Sequence, residues 1–399
     1  MTWVDGFVLL LAVLAGISGW RHGMAVALLS FAGVLAGAII GVKLAPLLAE
    51  HVESPAARVV VSIAVVVMLV ALGETTGVFF GRRIRDQITA EHSLLIDSAF
   101  GSVLQALTVV LAAWLVALPL ASASFPALAS GIRGSTVLAA VDGVVGDSLP
   151  GVRALPAELR SLLDQSGFPD VLSPFSQTPI TQVGPPNPAL ANGAAVQAAQ
   201  SRVLKIRGKA TRCSRALEGS GFVIGNERVM TNAHVVAGTA EVSVEVGSRA
   251  KRARPAKVVY YDPEVDIAVL AVPGLGLEPL RFAASAAKVA DDAIVLGYPL
   301  DGPFTATSAK IRDQIDLRGP DIYNAKTVVR DVYTVRAVVR SGNSGGPLLA
   351  PDGTVYGVVF GAALDDRETG FVLTAQQVSP MLRAAPGLTD SVGTGSCAA

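Results

Sequence analysis

Metal-binding side chains are scarce in this chain: among 399 residues there are 4 histidines and 2 cysteines. The histidines, His22, His51, His92 and His234, are widely separated, and neither an HExxH nor a CxxC pattern occurs. No metal site and no cofactor is therefore expected. A Walker-type loop is missing too, which removes the usual phosphate cradle. Lys+Arg and Asp+Glu balance at 32 each, giving a net charge of zero. Without a basic surface, nucleic acid is not an expected partner. Charged residues make up only 16% of the chain, where an ordinary soluble chain has about 25%.

Apolar residues are abundant instead, at 51%, and mean hydropathy is +0.52. The deficit of charge is concentrated at the front, where the first 121 residues hold 6 Lys+Arg and 7 Asp+Glu. Four apolar runs stand there: roughly Val4 to Trp20, Met24 to Leu48, Val59 to Gly81 and Ala99 to Ala121. Each is long enough to cross a hydrocarbon core of about 30 Å at 1.5 Å per helical residue. The first run has no basic n-region and three more spans follow it, which argues against a cleaved signal peptide. The lipid bilayer is thus an expected partner.

Basic residues between the spans orient them. Arg21 follows span one and Arg82, Arg83 and Arg85 follow span three, against Lys43 and Arg58 around the second connection. Loops one and three are expected in the cytoplasm, with both termini and everything after Ala121 outside. Glycines recur at helical spacing, Gly33, Gly37 and Gly41, then Gly73, Gly77 and Gly81. Small residues in such rows let helix backbones approach, favouring a packed bundle. Glu74, inside span three, is a candidate functional group, with snorkelling to water as the simpler account.

Composition divides the chain into a four-span transmembrane domain over 1–121, an extracytoplasmic linker with short helices over 122–200, and a third domain over 201–399. Short helices are expected at Ser135 to Val145 and Pro156 to Gln165, and an extended, protease-accessible stretch over Ser173 to Pro188. From about Ser201 the texture becomes short β-branched segments between Gly, Pro and Asp, such as IAVLAV and GFVLT. Segments of that length without intervening amphipathic helices predict an antiparallel all-β domain, large enough for two six-stranded barrels. Cys213 and Cys397 both fall in the segment placed outside. An even count in an oxidising compartment predicts one disulfide between them, two unpaired thiols being the alternative.

His234 is the one histidine of the β domain, so a general base acting near neutral pH is His234 or a shifted carboxylate. It stands in MTNAHVV, residues 230–236; Asp266 closes DPEVD before IAVL; Ser344 stands in RSGNSGGPLL, residues 340–349. A serine hydroxyl attacks a carbonyl at neutral pH only if an imidazole takes its proton, and that imidazole needs a carboxylate to hold its tautomer. Asp262 is the rival for the carboxylate. Glycines around Ser344 let the backbone N–H groups of Gly342 and Ser344 converge on a developing oxyanion.

TNAHVV, DIAVL, GNSGGPLL and GFVLT together resemble the trypsin-like, chymotrypsin-fold serine proteases, especially their HtrA-like branch, over roughly residues 202–385. The resemblance implies a double β-barrel, His234 as general base, Asp266 as its orienting carboxylate and Ser344 as nucleophile. Asn343 replaces the aspartate with which trypsin-type zymogens pair their new N-terminus, so activation by that route is not expected. The PDZ domain of HtrA proteins has no counterpart after Ala385. By the same likeness the substrate pocket is expected around Val338, Val339, Val359, Phe360 and Gly361, whose apolar character suits an uncharged side chain.

Four spans followed by such a domain resemble the actinobacterial membrane-anchored serine proteases of the acid-resistance type, whose membrane part is similar to the colicin V production family. This implies a multi-pass protein of the cytoplasmic membrane. Its protease domain would face the periplasm, cleave cell-envelope proteins and serve an acid or envelope stress response. The alternative is an inactive protease-like domain that binds peptides on a membrane scaffold.

Overall fold

A computed structural model describes residues 2–49, 55–85, 94–120, 126–148, 171–172, 176–210, 215–246 and 253–398. Two units emerge, Met1–Gln165 with Pro174–Gln177, and Ser166–Ser173 with Thr178–Ala399. Cys213 and the helix expected over Pro156 to Gln165 lie outside the described residues.

The first unit is helical: α1 (Trp3–His22), α2 (Met24–Ala49), α3 (Pro55–Arg85) and α4 (Leu94–Leu120). Each carries an apolar stretch of 20 to 22 residues, long enough to cross a membrane. Their large side chains face outward: Leu10, Val13, Met68 and Leu107 are all more than half exposed. Small residues face inward, the arrangement expected when lipid rather than water surrounds the bundle. The two glycine rows meet here. A Cβ on Gly33 would lie 2.0 Å from the Gly73 carbonyl oxygen, and one on Gly37 would lie 2.2 Å from that of Leu69.

Two shorter helices, α5 (Pro126–Arg133) and α6 (Thr136–Ser148), follow, the second over the helix expected at Ser135 to Val145. Buried Asp5 in the first turn of α1 accepts from the Ser135 hydroxyl at 2.6 Å and the Val137 N–H at 3.0 Å. It thereby satisfies the start of α6, where backbone donors have no intrahelical partner.

The second unit contains two closed antiparallel barrels. The first is built from β1 (Val203–Ala210), β2 (Arg215–Gly225), β3 (Arg228–Thr231), β4 (Glu241–Glu245), β5 (Ala253–Asp262) and β6 (Ile267–Ala271). The second is built from β7 (Asp292–Gly297), β8 (Thr305–Pro320), β9 (Thr327–Arg336), β10 (Pro347–Leu349), β11 (Val355–Ala362) and β12 (Thr369–Thr374). Spatial orders are β1-β2-β3-β6-β5-β4 and β10-β11-β12-β9-β8-β7. Alternating inward residues fill each barrel: Leu204, Ile206, Val229, Val244 and Leu270 in the first, Val295, Ile311, Val335, Leu348 and Val372 in the second. A further cluster with Phe222, Met230, Phe360 and Phe371 joins residues of both. Helix α7 (Ala194–Ala199) precedes β1 and α8 (Ala375–Ala384) follows β12.

Where it is described, from residue 176, the stretch expected over Ser173 to Pro188 forms neither helix nor strand before Pro188 and is mostly exposed, with Thr178 buried. The Thr178 N–H and Arg312 guanidinium tie it down, the first donating to Asp365 at 2.9 Å and the second to the Thr181 carbonyl at 3.0 Å. Val171 and Leu172, both buried, join the cluster around Phe360.

Candidate active site

β3 delivers His234 three residues after its end, and the β5–β6 connection delivers Asp266 one residue before Ile267. That connection is a tight turn. The Asp262 carboxylate accepts from the Glu264 and Val265 N–H groups at 2.9 and 3.0 Å, and the Asp262 carbonyl accepts from the Asp266 N–H. The turn leaves Asp266 in the left-handed region, φ +69°, where aspartate is tolerated better than most residues. Asp262 is thereby spent on the turn, and Asp266 is the carboxylate that reaches the imidazole.

Asp266 is fully buried and His234 is 7% exposed. The His234 N–H donates to Asp266 Oδ1 at 2.9 Å, while ring atom Nδ1 pairs with Oδ2 at 2.7 Å. With the proton on Nδ1, Nε2 is left as an acceptor. Asn232 Nδ2 donates to the Asp266 carbonyl at 2.8 Å, fixing the turn from below. His234 Nε2 and Ser344 Oγ are both buried, and neither has a hydrogen-bond partner. The hydroxyl–imidazole bond is not made here; such bonds are often long without substrate.

Ser344 sits in a loop held from several sides. Arg340 and Asn343 close a turn, the Asn343 N–H donating to the Arg340 carbonyl and the Arg340 N–H to Asn343 Oδ1, both at 2.9 Å. Asn343 therefore has a local structural task in place of an ion pair. Gly342 adopts φ +90°, and a Cβ there would lie 2.4 Å from the Tyr298 carbonyl oxygen. Only glycine fits that position. Among the described residues neither the Gly342 nor the Ser344 N–H donates to another group. Two free donors flanking a buried hydroxyl can accept a developing oxyanion.

Ser220 on β2 was not legible as a site residue. Its hydroxyl donates to the Gly342 carbonyl at 2.6 Å and accepts from the Tyr298 N–H at 2.9 Å, while its N–H donates to the Ser344 carbonyl at 2.8 Å. The Gly-Ser-Gly run at 219–221 was the available signal. The nucleophile loop thus rests on a strand of the other barrel.

The expected pocket residues are placed unequally. Val338 is exposed, whereas Val339 and Val359 belong to the interior of the second barrel. Phe360 is buried with its ring 6.4 Å from that of Phe371. A Cβ on Gly361 would strike Val171 at 2.3 Å, so the 171–172 segment lies against this strand. Backbone joins the strand to the nucleophile loop, with the Gly345 N–H donating to the Val359 carbonyl at 2.8 Å.

Residues 219–358 match the trypsin-like peptidase domain and residues 4–146 match Colicin V production protein. The chain is 50% identical to the serine protease Rv3671c of Mycobacterium tuberculosis over 397 residues, 99% of this chain and 98% of that one. A crystal structure of the Rv3671c protease from M. tuberculosis in its active form superposes with a TM-score of 0.54 at 56% identity, covering 58% of this chain and all of that one. A probable periplasmic DegP-like serine endoprotease of Chlamydia pneumoniae is 36% identical over 149 residues, 36% of this chain and 28% of that protein.

Proposed function

From the premise that the chain belongs to the family of serine proteases in which a Colicin V production domain precedes a trypsin-like peptidase domain, we propose that it is a membrane-anchored, extracytoplasmic serine endopeptidase acting through Ser344, His234 and Asp266. The chain is a hydrolase of this family; the residue roles and the location are the further step. One observation carries the roles: a buried imidazole held by Asp266 through Nδ1 at 2.7 Å, with its Nε2 and the Ser344 hydroxyl both buried and unpartnered.

In the proposed cycle Ser344 Oγ attacks the scissile carbonyl carbon as His234 Nε2 takes its proton. The oxyanion is received by the Gly342 and Ser344 N–H groups. The imidazolium, steadied by Asp266, then protonates the leaving amine, and water hydrolyses the acyl-enzyme by the same route in reverse. Anchoring is supported by the four apolar helices and an external active domain by the basic residues of the first and third connections.

A Cys213–Cys397 disulfide is part of the proposal. Cys397 has no free thiol, and its backbone packs against Gly238, four residues after His234. The substrate class that follows is an envelope protein, and a role in acid or envelope stress accords with the family likeness. Incubating membranes with a fluorophosphonate probe is expected to label Ser344 and to leave a Ser344→Ala chain unlabelled. Labelling that persists in that variant contradicts the assignment.

A further inference from the structure

Resting on the serine-protease reading of the site, we infer that Arg330 on β9 is a positioning residue, which locks the turn that presents Asp266 against the second barrel. The residue is 2% exposed. Nε donates to the Glu264 carbonyl at 2.7 Å and Nη1 to the Pro320 carbonyl at 3.0 Å, while the charged group lies 5.7 Å from the centre of the Phe360 ring. Glu264 belongs to the five-residue turn from Asp262 to Asp266. Phe360 stands on the strand whose neighbour Val359 holds the nucleophile loop. One side chain therefore touches the acid's turn and the strand behind the nucleophile, which lie in different barrels.

Electrostatics agree with the geometry. Burial lowers the pKa of Arg330, and the carboxylates of Asp266, Asp321 and Asp262 oppose that fall. A buried cation is costly unless paired or fully hydrogen-bonded, and ordinary packing at this place would be served by a long apolar side chain. What an apolar residue lacks is a donor to the Glu264 carbonyl. Losing that anchor frees the turn to shift relative to Ser344, and a displacement near 1 Å in such a constellation costs about 10²-fold in rate.

The test uses the full chain in detergent and fluorophosphonate labelling, which separates the saturating rate of reaction at Ser344 from the half-saturating probe concentration. Arg330→Met is expected to slow the saturating rate about 10-fold or more per folded molecule, with half-saturation unchanged, because positioning acts on chemistry and not on probe binding. Arg330→Lys keeps one donor and the charge and is expected to recover part of the loss, to about a third of the wild-type rate. If the folded Met variant reacts as fast as wild type, or the loss equals the unfolded fraction seen in melting, the inference is overturned. Should the Met variant fail to fold, the Lys variant decides: a rate reduced about 3-fold at unchanged half-saturation supports the positioning role, and a wild-type rate overturns it. Failure of the wild type itself to label at Ser344 refutes the underlying protease reading and this inference with it.

Discussion

His234 meets the Asp266 carboxylate twice, its backbone N–H at Oδ1 and its ring Nδ1 at Oδ2, at 2.9 and 2.7 Å. The first contact fixes where the carboxylate lies, and the second fixes the imidazole proton on Nδ1. In Asp266→Asn the amide oxygen can keep the backbone contact, but the amide NH2 then faces Nδ1. The ring proton must move to Nε2, where it blocks proton abstraction. Asparagine also accepts the left-handed backbone that position 266 requires. The variant is expected to melt near wild type yet hydrolyse about 10⁴-fold more slowly, measured with a protein substrate and by circular dichroism. Wild-type turnover would remove Asp266 from the mechanism.

The oxyanion loop gives a second test. Gly342→Ala forces a Cβ onto the Tyr298 carbonyl, 2.4 Å away, at φ +90°. The Gly342 N–H must turn from its present direction, and loss of one oxyanion donor lowers kcat about 10² to 10³-fold. Gly353→Ala is the control. It has a similar φ of +87° but only ordinary contacts, to Ala195 at 3.7 Å, so it is expected to lose some stability and keep its kcat.

Asp301 makes a small contribution to the pH dependence of stability. Its carboxyl is held below the usual aspartate range, first by the Lys205 ammonium at 2.7 Å and also by the charge of Arg207. A depressed carboxyl stabilises the fold above the ordinary value of 3.8 and ceases to do so as pH falls through its lower folded value. Asp301 is partly exposed, so the effect is small. Asp301→Asn is expected to melt about 2 °C below wild type at neutral pH, with the gap closing below pH 3.8. A gap that stays constant to pH 2 would assign it to packing.

How much could be read in advance differs among these residues for a physical reason. His234, Asp266 and Ser344 each sit in a short run whose local backbone needs specific neighbours, so the runs announce them. The β-branched segments likewise foretell β6 and β12. β8 carries no such signal because Lys310, Arg312, Asp313, Asp316 and Arg318 interrupt its apolar residues, and β10 carries none because it is only three residues long. Ser220 and Arg330 act on carbonyls 122 and 66 positions away in the chain, and no local pattern encodes such a meeting. The pocket has no local pattern for the same reason: adjacent Val338 and Val339 have opposite fates, one exposed and one in the barrel interior.

The glycine rows of the bundle are testable apart from the chemistry. At Gly73 an added Cβ would lie 2.0 Å from the Gly33 carbonyl oxygen and 2.8 Å from its carbon, and both are backbone atoms that cannot rotate away. The two helices must separate for Gly73→Leu to be accommodated, which forfeits the close packing that replaces the hydrophobic effect within lipid. Overpacking of this kind costs about 1 to 3 kcal/mol. Gly6 on α1 has nothing within 4 Å of such a Cβ, so Gly6→Ala is expected to be neutral. The measurement is the survival of each full chain on heating in detergent, followed by gel filtration. Equal survival of the Gly73→Leu chain and wild type would mean that the α2–α3 contact does not hold the bundle together.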